Sequence, residues 1–198
     1  MNRFRELKAL LMLAVCSAVP AVSMAAPVTF NFVLSGAAES PPNSSTGTGS
    51  ATAIFDIVAH RMQVDITFAG LSANNTVTHI HCCTAVAGAG LIGVATATPT
   101  FPDFPSGATS GTYSQLFDMT LASSYRPGFI TDNGGTTAFA EAVLYNGLLN
   151  GKAYLNIHST AYPGGEIRGF ATVPEPGSLA LLGLGLVGLG LVRRRSRA

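Results

Sequence analysis

An all-β fold, a Greek-key β-sandwich of about eight strands, is what this sequence predicts, flanked by an N-terminal signal peptide and a C-terminal apolar helix. Three observations lead there. Apolar and polar residues alternate with period two along several runs in the middle of the chain. Clusters of Ser, Gly, Pro and Asn interrupt those runs at short intervals. The apolar excess behind a mean hydropathy of +0.38 sits at the two ends. Of the 198 residues only 11% are charged, well under the roughly 25% of an ordinary soluble domain. With the ends set aside, residues 27–173 remain, enough for one domain with a core of its own.

Residues 1–26 read as a signal peptide. Arg3, Arg5 and Lys8 precede an apolar run from Ala9 to Val22, and small residues at Ala25 and Ala26 provide a cleavage site. Cys16 belongs to the apolar run. Within 27–173, Val28, Phe30, Phe32 and Leu34 alternate with Thr29, Asn31 and Val33, and Met62, Val64, Ile66 and Phe68 alternate with Arg61, Gln63, Asp65 and Thr67. Both are half-buried strands. Ala51–Val58 is a third, joined to the next by a hairpin through Val58–Met62. Further strands are expected at Thr76–Cys82, Leu91–Ala97, Tyr113–Leu121, Lys152–His158 and Glu166–Val173. The one helical candidate, Thr136–Leu149, reads equally as a strand with Phe139, Glu141 and Val143 on one face.

Charge excludes one class of function. The middle keeps Arg61, Arg126, Lys152 and Arg168 against eight acids, a net of −4. Four dispersed cations on an acidic domain make no footprint for nucleic acid. The same stretch is too apolar and too weakly charged for a disordered chain. No nucleophile elbow, no spaced carboxylate pair and no phosphate-binding glycine loop marks a hydrolase.

Chemistry gathers at His79-Ile80-His81. In a strand, residues i and i+2 share a face, so both imidazoles point the same way with Cα atoms about 6.7 Å apart. His158 offers a third on the face opposite Leu155 and Ile157. Three imidazoles suit copper or zinc, and three histidines that merely hydrogen-bond loops fit the same spacing. His60, beside Arg61 in a turn, reads as a solvated residue. Cys82 and Cys83 have Cα atoms about 3.8 Å apart across an ordinary peptide, below the usual span of a disulfide of about 4.4–6.8 Å. They read first as a turn with one buried thiol, and Cys83 as an alternative soft ligand on the histidine face. In Pro163-Gly164-Gly165-Glu166-Ile167-Arg168-Gly169, Glu166 and Arg168 share a face, an ion pair in reach of each other and organisers of the His158 loop.

The tail carries a specific resemblance. Pro174-Glu175-Pro176, an apolar, glycine-rich stretch Leu179–Val192, and arginines 193, 194, 195 and 197 end the chain. The stretch spans about 21 Å as a helix, short of the ~30 Å hydrocarbon core, and the arginines keep its end cytoplasmic. Residues 174–198 resemble the PEP-CTERM sorting signal of Gram-negative bacteria, with Pro174, Glu175, Pro176, Arg193, Arg194 and Arg195 as its motif. That resemblance implies an exosortase-type processing enzyme, transient inner-membrane insertion through the apolar helix, and release to the cell surface or exopolysaccharide matrix.

The middle carries another. Leu34-Ser-Gly-Ala-Ala-Glu-Ser-Pro-Pro42, Gly70-Leu71, His79-Ile-His81 and Tyr154-Leu-Asn-Ile-His158-Ser-Thr-Ala-Tyr-Pro163-Gly-Gly-Glu-Ile-Arg168-Gly169 resemble the CHRD domain over residues 28–172. This family implies an extracellular β-sandwich associated with binding or matrix roles; Cys82-Cys83 departs from its usual glycine-rich continuation. A looser likeness joins His79, His81, His158 and Arg168 to the copper ligands and substrate-guiding arginine of copper/zinc superoxide dismutases, whose bridging histidine, zinc ligands and disulfide have no counterpart here. The expectation is therefore an exported, non-catalytic surface or matrix module, with a metal-binding protein on His79, His81 and His158 as the alternative.

Overall fold

The computed structural model describes residues 26–174. Apart from Ala26 and Pro174, the expected signal peptide and sorting segment, with Glu175, Pro176 and Arg193–Arg195, lie outside the described residues. Among those residues no helix is long and apolar enough to cross a membrane.

The first alternating run forms β1 (Val28–Ser35), with Phe30, Phe32 and Leu34 buried and Val33 turned out to solvent. β2 (Thr48–Asp56) and β3 (Arg61–Ala69) make the expected hairpin. Its turn is fixed by the Asp56 carboxylate, which accepts the N–H of Val58 and Ala59 at 3.0 and 2.9 Å. β4 (Asn75–His81) and β5 (Gly111–Asp118) follow. Two helices, α1 (Pro127–Asp132) and α2 (Thr137–Leu149), precede β6 (Tyr154–Ser159) and β7 (Ile167–Phe170). All strand pairs are antiparallel, in the order β4-β6-β7-β1-β2-β3-β5. β3 and β5 are neighbours although β4 lies between them in sequence, so the chain crosses to the far edge of the sheet and back.

The sheet is curled, and its hinge is narrow: β1 and β7 pair only at Ser35 and Arg168. Gly169 makes that approach possible, because a Cβ there would run into the backbone of Val33. Phe30, Phe32 and Leu34 on one side and Ile80, Leu155, Ile157 and Ile167 on the other thus enter one apolar cluster. Each such side chain contributes about 1.5–3 kcal/mol by leaving water.

Seven strands form among the described residues, where about eight were expected. Leu91–Ala97 is not a strand; it touches its neighbours at isolated bridges only, Val94 with His81 and Thr96 with Tyr125. The Thr96 hydroxyl accepts the Ile80 N–H at 2.9 Å in place of a backbone carbonyl, which stops a ladder from propagating. The segment instead covers the β4 edge, which would otherwise be an open template for pairing.

Thr136–Leu149 resolves as a helix. The Thr136 hydroxyl caps it by accepting the Phe139 N–H. Ala140, Leu144, Gly147 and Leu148 face the core, while Phe139, which the strand reading grouped with Glu141 and Val143, is exposed and Glu141 is buried. Tyr145 sets its ring edge-on to Phe30 and Phe55, at 6.1 and 5.2 Å.

Candidate metal centre

β4, β6 and β7 lie side by side, and their outer face carries the predicted residues. Across it run two rows of paired residues, His79–Asn156–Arg168 and His81–Tyr154–Phe170. His158 follows on β6. The alternate residues Ile80, Leu155, Ile157 and Ile167 are fully buried on the core side. This pleat brings the three imidazoles together: ring centroids are 5.8 Å apart for His79 and His81, 5.7 Å for His79 and His158, and 6.2 Å for His81 and His158. One nitrogen from each lies within 4.8 Å of the others.

The hydrogen bonds determine which nitrogen that is. His79 Nε2 faces the Pro99 carbonyl at 2.6 Å, His81 Nδ1 the Ile92 carbonyl at 2.8 Å, and His158 Nδ1 the Pro163 carbonyl at 2.8 Å. A carbonyl oxygen only accepts, so each of these ring nitrogens carries the proton. The remaining atoms, His79 Nδ1, His81 Nε2 and His158 Nε2, are buried and have no hydrogen-bond partner. Buried lone pairs without partners are costly. Ligating histidines commonly have this arrangement, with the other N–H given to a carbonyl that holds tautomer and ring orientation.

Burial also keeps the rings neutral. It pushes His79 and His158 below the ordinary imidazole value and His81 down to about 4, more than the carbonyl hydrogen bonds restore. Metal binding needs unprotonated imidazole, and these rings supply it at neutral pH. Two nitrogens on one ion at bonds of about 2.0–2.1 Å lie no more than about 4.2 Å apart. A spacing of up to 4.8 Å would therefore have to close by at least several tenths of an ångström for one ion to bridge the rings.

Around the histidines the structure builds a support. Tyr154 stacks on His81, centroids 4.7 Å apart and planes within 6°. The Arg168 guanidinium lies over the Tyr154 ring at 4.8 Å and near Phe170 at 5.4 Å. Arg168 is 3% exposed, and donates to the Ala38 and Gly90 carbonyls at 2.5 and 2.9 Å. An arginine so enclosed does not reach solvent, which removes the substrate-guiding position that the dismutase likeness implied. Its charge partner is Glu39 at 3.7 Å, and the expected Glu166–Arg168 pair does not form. Glu166 instead accepts the Ser45 hydroxyl and the Ser72 N–H, each at 2.5 Å, and so holds two loops. Burial would raise its carboxyl, but serine hydroxyls and the Ser72 N–H keep it low.

Glu39 was not singled out from the sequence. It comes from the Leu34–Pro42 motif, accepts the Asn156 amide at 2.8 Å, and is pushed up to about 7 by burial against the pull of Arg168. Gly165 lets it sit there: its φ is +133°, and a Cβ would meet both the Asn156 amide and the Glu39 carboxylate. Neither Pro99 nor Ile92 gave any signal, since a carbonyl acceptor is the same atom in every residue.

Two other expectations are corrected. Cys82 and Cys83 are joined in a disulfide that lies against Gly147 of α2, away from the histidine cluster. His60 is half-exposed, as a turn residue, but its Nδ1 pairs with the buried Glu141 carboxylate at 2.7 Å. Its left-handed backbone, φ 53°, turns the ring toward α2.

Comparison with known families agrees with this geometry in extent. The CHRD domain model matches residues 30–171, and the PEP-CTERM protein-sorting motif matches residues 172–195. No curated protein and no solved structure matches the chain. The sorting motif implies export and membrane-associated sorting in Gram-negative bacteria, with processing by exosortase-type machinery. The matched residues include the histidine strand, the Glu39 motif and the Arg168 turn, and the chain belongs to the CHRD-domain family.

Proposed function

We propose that this protein is an exported, non-catalytic module of the cell surface or exopolysaccharide matrix whose β domain binds one transition-metal ion, copper or zinc, through His79, His81 and His158. One observation carries the reading: three unprotonated ring nitrogens converge, each buried, each without a partner, each on a ring oriented by a backbone carbonyl. Histidines that served only to tie loops would have no reason to aim their free nitrogens at one point. The sorting motif supplies the location, with the apolar tail as a transient inner-membrane anchor before processing. Residues 27–173 form the module, preceded by a signal peptide over 1–26 and followed by the sorting segment over 174–198. Glu166 and Arg168 organise the site by holding the loops and the Tyr154 ring against it.

The test is metal content by mass spectrometry on the exported chain, purified without chelator and reloaded with Cu²⁺, with Zn²⁺, or with copper under anaerobic reducing conditions. Stoichiometric metal, lost in His79→Ala and His158→Ala and kept in His60→Ala, is the expected result. His60 is the control because it lies outside the cluster. Absence of metal in every loading would overturn the metal centre and leave the surface module without an assigned ligand.

A further inference from the structure

The centre has a feature that separates metals of different charge and coordination number. Its three free nitrogens are all buried. Zinc takes four ligands almost without exception, completing a three-residue set with a water. Shielding of each ligand atom disfavours a water as that fourth ligand. The rings are in turn pinned from behind by Pro99, Ile92 and Pro163.

Charge points the same way. The cluster consists of neutral imidazoles alone, with no carboxylate or thiolate among its members. The charged side chain that acts on His81 is Arg168, a cation, and Arg168 already has its own partner in Glu39. Moving an ion out of water costs a free energy that grows with the square of its charge, so a dication pays about four times what a monocation pays. No ligand charge here offsets that difference.

From these observations we infer that the His79–His81–His158 centre is a cuprous-ion site, holding Cu(I) in three-coordinate, all-nitrogen geometry and discriminating against Zn(II) and Cu(II). The inference rests on the metal-binding reading above and names the ion that the site takes. A trigonal ion with bonds of about 2.0 Å places its nitrogens about 3.5 Å apart, so a spacing of up to 4.8 Å contracts by tilting the rings inward about their carbonyl hydrogen bonds, with no new ligand. Binding is a ligand exchange without electron transfer, in which Cu(I) leaves a competitor and enters the site with no proton released, because the three nitrogens are already unprotonated.

The experiment is an anaerobic titration of the purified exported chain with Cu(I) against bicinchoninate, run beside a Zn(II) titration against a chromophoric chelator. X-ray absorption follows on the copper form. We expect one Cu(I) per chain with three nitrogen ligands, held at least about tenfold more tightly than Zn(II). The Cu(I) should be lost in His81→Gln and His158→Gln, whose circular dichroism reports whether the fold is kept. Zn(II) or Cu(II) bound as tightly as Cu(I), or a fourth ligand on the copper, would overturn this inference while leaving the metal centre standing. No binding of any of the three ions would overturn both.

Discussion

His81 and Tyr154 share a single acceptor: the Ile92 carbonyl takes the imidazole Nδ1–H at 2.8 Å and the phenol hydroxyl at 3.3 Å, while the two rings stack face to face. One backbone atom and one ring thus set the direction in which His81 Nε2 points. Removing the ring is predicted to matter more than removing the hydroxyl. Tyr154→Phe keeps the stack and the Nδ1–H bond, so metal affinity should hold within about twofold. Tyr154→Leu frees the imidazole to rotate and should weaken binding by about 10–100-fold, the usual effect of losing a group that orients a ligand. Competition titration of the two variants reads the difference, and equal losses in both would assign the effect to the hydroxyl.

Glu39 predicts a pH dependence of stability. Its carboxyl rises from 4.5 to about 7 on folding, because burial disfavours the charged form. The folded state prefers the proton, so the contribution is complete below pH 4.5 and is lost as pH rises through about 7. Glu39→Gln removes this titration. The stability of the variant relative to the unmodified protein should therefore improve between pH 4.5 and pH 8, by on the order of 3 kcal/mol. The histidines, which titrate with the opposite sign, are present in both proteins and cancel in the difference. Thermal melts across the range give the answer, and a flat difference would show that Glu39 titrates normally in the fold.

Gly169 and Gly164 make a matched pair of substitutions. A Cβ at Gly169 meets the backbone of Val33 where β1 and β7 join, and backbone gives way only by opening the hinge of the sheet. Gly169→Ala should cost about 2–3 kcal/mol in denaturant unfolding. At Gly164 a Cβ meets nothing within 4 Å, and Gly164→Ala should stay within about 0.5 kcal/mol. Equal stability of the two variants would place the hinge elsewhere.

Processing is tested by intact mass. In a host with exosortase-type machinery the surface form should end near Pro176, without the arginines 193–195. A secreted form that retains Ala198 would contradict cleavage at the sorting motif.

Period-two alternation made much of this fold legible without coordinates. In β1 and β3 the inward residues are apolar and their neighbours mostly polar, so strand and face follow from spacing alone. The same rule put His79 with His81 on one face of their strand and Tyr154 with Asn156 and His158 on one face of theirs; the pairing of β4, β6 and β7 joined these into a single face with Arg168. Leu91–Ala97 misled, since its alternation suits a strand while its ladder to β4 is interrupted where the Thr96 hydroxyl takes the Ile80 N–H. Thr136–Leu149 stayed ambiguous because Ala and Leu fit both periods; its packing of Leu144, Gly147 and Leu148 into the core resolved it. Glu166 and Arg168, expected to pair with each other, took partners from loops far away in sequence.

By itself, then, the sequence determined most of the strands, the shared face of His79 and His81 and the sorting tail, all of which depend on residues close together along the chain. Only the tertiary structure decided that His158 meets His79 and His81, that Arg168 answers to Glu39, and that Pro99, Ile92 and Pro163 turn three free nitrogens toward one point. Those contacts depend on how the sheet curls and where the loops return. Curl and loop path are set by the packing of the whole core, which no local pattern encodes.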